Sequence, residues 1–190
     1  MAQQNNGKNI VMMHGYICSL KSTVAKNLAE KLNIPRLETK QLGAIHSETD
    51  KAWRYRLLSA MVKSHVRSDT DMILDGTFGK KPFREAIYRL SEELGLGDVV
   101  VVRCVCDDDG EVWKRVKGRT ENDDICILEW VSRKHDAVEF DKYRNAMPSI
   151  IEVDTKKFVV RPINMRSDFS RKVADSLAEI VGSMKKPTSC

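Results

Sequence analysis

The sequence predicts an α/β fold, a parallel sheet of about five strands with helices on both faces. Three observations carry that reading. Short apolar runs recur at Ile10–Met13, at Met72–Leu74 and between Asp98 and Cys106, each the length of a buried strand. Stretches of helical periodicity separate them, so strand and helix alternate along the chain. The first run also leads through a turn, Gly15 to Leu20, into Lys21-Ser22-Thr23 at the head of a helix.

That first unit organises the rest. Val24, Leu28 and Leu32 fall on one face of the helix that it opens. Strand, turn, lysine, hydroxyl and helix is the layout of a phosphate-binding loop. Here the loop would comprise Gly15, Tyr16, Ile17, Cys18, Ser19, Leu20, Lys21, Ser22 and Thr23. Its N–H groups would surround a polyphosphate, with Lys21 on the β- and γ-phosphates and the Ser22 hydroxyl on Mg²⁺. The helix N-terminus adds a favourable field. The alternative is an ordinary strand–turn–helix corner.

The pattern G-x-x-x-x-G-K-[ST] wants glycine where this chain has Leu20, and Cys18 stands where many such loops carry another. A side chain fits at Leu20 if the backbone there is near right-handed helical values. On that expectation Leu20 turns away from the phosphates and packs against apolar neighbours. Cys18 lies near a helix N-terminus and Lys21, a setting that lowers a thiol pKa and favours oxidation unless burial cancels it.

Asn33-Ile34-Pro35 breaks the first helix, and Pro35 to Glu38 is expected as a short second strand. Glu38, Thr39 and Lys40 then lie at its carboxyl end, where open α/β sheets place ligands. Glu48 to Val66 reads as a helix with Trp53, Leu57, Ala60 and Met61 inward. Trp53 is either core or the wall of a substrate pocket. Asp75 ends the strand Met72–Leu74, beside the loop, where an acidic residue partners bound magnesium directly or through water. The alternative there is a plain turn residue. Gly76 permits close backbone approach.

Phe78 to Leu94 reads as a turn and helix, with Arg84 in its first turns and Leu94-Gly95 as its stop. Asp107-Asp108-Asp109 is expected to cap the next helix, the alternative being a metal cluster. That helix turns Val112 and Val116 inward, and Arg115 and Arg119, four apart, share a face. Ile125 to Phe140 resumes helical periodicity. Ile150–Val153 is the last strand expected, and Asp168–Met184 an amphipathic helix that closes the sheet.

Composition narrows the function. A chain of 190 residues suits one domain, expected over 8–184, with loose ends at 1–7 and 185–190. The net charge of +5 comes from scattered Lys and Arg, so a broad nucleic-acid surface is not indicated. The five cysteines, Cys18, Cys104, Cys106, Cys126 and Cys190, form no zinc pattern, which points to a reduced, cytoplasmic protein. No apolar run is long enough to span a membrane, and the polar start MAQQNNGK is no signal peptide.

With Gly15 to Thr23, Leu74-Asp75-Gly76-Thr77 and Arg115-Val116-Lys117-Gly118-Arg119, the chain resembles the small P-loop kinases. It is similar in particular to the predicted-kinase branch that includes polynucleotide-kinase-like and zeta-toxin-like proteins. The resemblance covers about Asn9 to Thr155. It implies a three-layer α/β/α P-loop NTPase fold, strand order 2-3-1-4-5, and a helical lid at about 115–130 whose arginines close over the nucleotide. In that branch an Asp often follows the second strand as the base for the acceptor hydroxyl. Lys40 stands at or near that position here. A lysine protonated at neutral pH holds an anionic substrate better than it accepts a proton, which leaves Glu38 as candidate base and Asp75 as second choice.

The expected catalytic set is therefore Lys21, Glu38, Asp75, Arg115 and Arg119, with Ser22 and Asp75 on the metal. Glu38, Lys40, Trp53 and Arg84 are expected around the substrate. The function expected is an ATP–Mg²⁺-dependent kinase acting on a hydroxyl of a small metabolite. The alternatives are a 5′-hydroxyl polynucleotide kinase and a nucleotide-binding protein without transfer activity.

Overall fold

The computed structural model of the chain describes residues 8–15, 18–39, 51–65, 70–78, 81–117 and 149–184. Strands β1 (Ile10–Gly15), β2 (Arg36–Glu38), β3 (Met72–Asp75), β4 (Val99–Val105) and β5 (Ser149–Asp154) alternate with helices α1 (Lys21–Leu32), α2 (Lys51–His65), α3 (Lys81–Glu93) and α4 (Asp109–Lys117). A sixth strand, β6 (Val159–Asn164), and helix α5 (Asp168–Met184) follow. The sheet order is β2-β3-β1-β4-β5-β6, parallel throughout except for the antiparallel β5–β6 pair. The fold is α/β and P-loop NTPase-like, in the expected order with one strand more than expected.

Alternation along the strands builds two core layers. Ile10, Met12, Met72, Leu74, Val99 and Val101 face α2 and α3, meeting Leu58, Val62, Ile87 and Leu90. Val11, Met13, Ile73, Val100, Val102 and Val153 face α1 and α5, meeting Val24, Leu28, Val173 and Leu177. A strand buried on both faces needs apolar residues at every position, hence the unbroken runs. Each fully buried Val, Leu or Ile contributes about 2 kcal/mol relative to exposure.

The inner face of α2 is rotated from the expected one. Leu58 and Val62 are buried, Leu57 and Met61 are at the margin, and Ala60 is exposed. Leu58 and Val62 stand one helical turn apart, and that spacing fills the layer better than the small Ala60 would. The side chain of Trp53 lies outside the described residues.

Helix ends follow local chemistry. Asp108 Oδ1 accepts the N–H of Glu111 at 2.8 Å, so the acidic triplet does cap α4. Among the described residues no group of three or more His, Cys, Asp or Glu is placed to hold a metal. Gly95, with φ 61, ends α3 while the N–H of Leu96 reaches the carbonyl of Ser91 at 2.9 Å. Ser167 and Ser170 cap α5 reciprocally, each hydroxyl accepting the other's N–H. No described helix is long and apolar enough to cross a membrane.

β6 escaped the sequence reading because it carries no buried pattern. Its residues are exposed or half-buried, and Pro162 interrupts them. Proline is tolerated at a sheet edge, and β6 is one. Ion pairs in place of apolar contacts hold part of the strand: Arg161 meets Glu152 at 3.0 Å, and Glu152 also meets Arg103 at 3.2 Å.

Candidate phosphoryl-transfer site

The parallel strands bring their carboxyl ends together, and the chain turns there. Gly15 ends β1 with φ 153, and a Cβ on it would stand 2.5 Å from the carbonyl oxygen of Cys104 on β4. Only glycine fits that approach. Ser19 lies buried beyond it and leads into α1. Tyr16 and Ile17 lie outside the described residues.

Leu20 corrects the expectation made for it. Its φ and ψ are 58 and 16, left-handed values, and it is half-buried. Cys18 is also left-handed, with φ 59, while Ser19 between them is not. Backbone that alternates hand turns successive N–H groups toward one concavity, which suits an anion. The turn into α1 therefore keeps the conformation that glycine would adopt, at about 1–2 kcal/mol of strain for a leucine. Leu20 supplies no side-chain cap to the first turn of α1, so those N–H groups face the loop without competition from it. Relief of strain predicts an order of stabilities. Leu20→Gly should be more stable than Leu20→Ala by about 1 kcal/mol, because both lose packing but only glycine relaxes the backbone. Urea denaturation checks it, and an alanine variant at least as stable as the glycine one would refute the strain.

Lys21, Ser22 and Asp75 converge as the sequence suggests. Asp75, 2% exposed, has Oδ1 at 3.5 Å from the Ser22 hydroxyl, which donates to it, and at 4.0 Å from Lys21 Nζ. Strand β2 pairs Glu38 with Asp75 in register, so both carboxyl groups stand at the same level of the sheet. Thr39 Oγ1 donates to the carbonyl of Asp75 at 3.2 Å. A Cβ on Gly76 would meet Thr39 Oγ1 at 2.9 Å, so the close approach expected of Gly76 is real.

Sequence reasoning missed Arg36. Its Nη1 donates to Asp75 Oδ2 at 2.9 Å and to the Ser22 carbonyl at 3.4 Å, and its Nη2 donates to Glu38 Oε2 at 3.2 Å. The available signal was its place two residues before Glu38, on the same side of an extended strand.

Two expected residues take other positions. Arg84 is 1% exposed, and its Nη1 donates to the carbonyl of Phe78 at 2.8 Å, bracing the segment after Asp75 from below. Arg115 is held by the backbone around the loop. Its Nη1 reaches the carbonyl of Cys18 and the hydroxyl of Thr155, both at 3.2 Å, and its Nη2 reaches the carbonyl of Thr155 at 3.0 Å. Glu111 completes the set at 2.9 Å from Nε. Val112 and Val116 pack with Cys18 and Cys106 just beneath. Cys18, only 4% exposed, is therefore shielded from an oxidant. Lys40, Arg119 and the remainder of the expected lid lie outside the described residues.

His14 is a second residue that the sequence reading passed over, a polar side chain at the end of an apolar strand. It is 6% exposed and donates from Nδ1 to the carbonyl of Thr77 at 2.8 Å. Burial, then the nearby charges of Arg84, Arg103 and Lys21, push its pKa from 6.5 down to about 3. The ring is neutral at pH 7 and serves to hold the segment that follows Asp75. A depressed basic group stabilises the fold fully above its unfolded pKa, and that stability is lost as pH falls toward the folded value. Between pH 6.5 and 4 the loss from His14 alone should reach about 3 kcal/mol. Urea titrations at the two pH values check it. His14→Asn should show a shallower decline, and an equal decline in both proteins would contradict the assignment.

Residues 10–129 match the AAA_33 family, described as an AAA domain. Similar solved structures include a gluconokinase from Sinorhizobium meliloti 1021, at 16% identity and a TM-score of 0.51, covering 96% of this chain and 97% of that one. A sugar kinase from Janibacter sp. HTCC2649 aligns at 14% identity and a TM-score of 0.51, covering 93% of each chain. The Mycobacterium tuberculosis APS kinase in complex with AMPPNP and APS aligns at 18% identity and a TM-score of 0.50, over 57% of this chain and 68% of that one. No curated protein matches by sequence.

Proposed function

Because the chain belongs to the AAA_33 family of AAA domains, we propose that it is an ATP–Mg²⁺-dependent kinase that phosphorylates a hydroxyl of a small metabolite. The observation that carries this reading is the meeting of Lys21, Ser22 and Asp75 at the mouth of a loop whose backbone alternates hand. The solved structures of like fold, an APS kinase, a gluconokinase and a sugar kinase, agree with it.

The donor set fits magnesium. Ser22 Oγ and Asp75 Oδ1 are hard oxygens 3.5 Å apart, and magnesium commonly takes one or two protein oxygens together with phosphates and water. Ser22 and Asp75 would hold the ion, which when bound neutralises charge on the phosphate oxygens. The protein's own part is positioning and electrostatics, since phosphoryl transfer asks little covalent chemistry of it. Loop N–H groups orient the phosphates, and Lys21 supplies a cation at the β/γ bridge. Glu38, level with Asp75, accepts the proton of the acceptor hydroxyl. Arg119 closes from the lid on to the transferring group, with Arg115 bracing the loop beneath. Lys40 and Trp53 remain the residues assigned to the acceptor's surroundings, while Arg84 braces the segment after Asp75 from beneath.

The test is single-turnover release of labelled γ-phosphate with a panel of hydroxylated acceptors, sugars and sugar acids among them. Acceptor-dependent transfer supports the reading. Nucleotide binding with no transfer to any acceptor would favour a binding protein, the alternative to which the strained Leu20 lends some weight.

A further inference from the structure

Arg36 stands on the first residue of the edge strand β2 and reaches across β3 into the site. Its guanidinium divides the two oxygens of Asp75. Oδ2 takes Arg36 at 2.9 Å, and Oδ1 is left facing Ser22 Oγ at 3.5 Å and Lys21 at 4.0 Å. The other arm of the fork holds Glu38 at 3.2 Å.

We propose that Arg36 is the positioning residue that aims Asp75 at a metal ion. The proposal rests on the metal position assigned above. A carboxylate that is 2% exposed needs a close cationic partner. With Arg36 in place that partner is bound through Oδ2, and Lys21 stays beyond hydrogen-bond range. Without it no fork fixes Asp75 Oδ2. Asp75 would then be free to rotate its Oδ1 away from Ser22. A lysine at position 36 keeps the charge but not the fork, and one ammonium cannot hold Asp75, Glu38 and the Ser22 carbonyl in fixed directions.

This separates geometry from charge. A general electrostatic role would help nucleotide binding with or without metal, and lysine would preserve it. A positioning role acts only when metal is present, and lysine fails.

Calorimetric titration of the full chain with ATP, once in magnesium and once in EDTA, distinguishes them. Wild type should bind more tightly in magnesium. Arg36→Lys should lose about tenfold or more in magnesium, the range for groups that orient a metal ligand, and less than about threefold in EDTA. Arg36→Gln should behave alike, and it carries the test if the lysine variant lacks a native circular dichroism spectrum. Wild-type affinity for ATP–magnesium in either folded variant overturns the proposal, and so does an equal loss in both media. If wild type itself shows no preference for magnesium, the metal position is wrong and the proposal falls with it. That outcome is told apart from the others by the wild-type titration alone.

Discussion

Lys21→Ala is expected to abolish phosphoryl transfer while leaving the fold intact. Lys21 is the first residue of α1, and among the described residues its ammonium has one long ionic contact, to Asp75 at 4.0 Å. So loose a pair contributes little to stability, and the helix should tolerate alanine there. Its value lies in the transition state, where it is the only loop side chain that can place a flexible cation against the β- and γ-phosphates. Losing such a contact should cost about 3 kcal/mol or more, a factor of at least about a hundred in turnover. Single-turnover rates beside circular dichroism make the measurement. Unchanged turnover in a natively folded variant ends the kinase reading.

Glu38→Gln should separate binding from chemistry. Glu38 accepts from Arg36 at 3.2 Å, and the amide oxygen of glutamine can accept the same bond. The local structure should therefore persist while the proton acceptor disappears. Nucleotide affinity is expected to hold within about threefold, and transfer to fall by about a hundredfold, the lower range for a positioned general base. Full activity in Glu38→Gln would remove this residue as the base and return the role to Asp75 or to a residue beyond β2.

What could be read from sequence was whatever depends on neighbours along the chain. The strands β1, β3 and β4 announced themselves because burial on both faces demands continuous apolar runs. The span of α5 followed from its amphipathic period, and the carboxylate ending β3 from its position alone. Other features depend on partners that folding supplies. Arg36 acquires its role only when β3 lies beside β2, since Asp75 is far from it in sequence. The left-handed backbone of Leu20 reflects the turn that joins β1 to α1, and no residue preference could override that constraint. Arg84 is expected around the substrate from its place in the first turns of a helix, yet the packing of α3 folds it inward to a carbonyl. β6 had no apolar pattern to reveal it, because an edge strand held partly by ion pairs needs none.

The antiparallel β5–β6 pair also bears on how quickly different parts of the molecule assemble. A hairpin closed by a turn of a few residues forms in microseconds, needing no distant segment. The parallel pairs require closure of long loops: Asn9 alone bonds to Asp71 and to the N–H of Asp98, 62 and 89 residues away. Loop entropy must be overcome there before contacts reward it, which slows the folding of parallel sheets. The C-terminal hairpin can therefore close before the parallel pairs that join β4, β1 and β3. The binding loop, strung between β1 and α1, would be among the last parts to take its final shape. A newly made chain would gain its capacity for nucleotide only as its slowest contacts close.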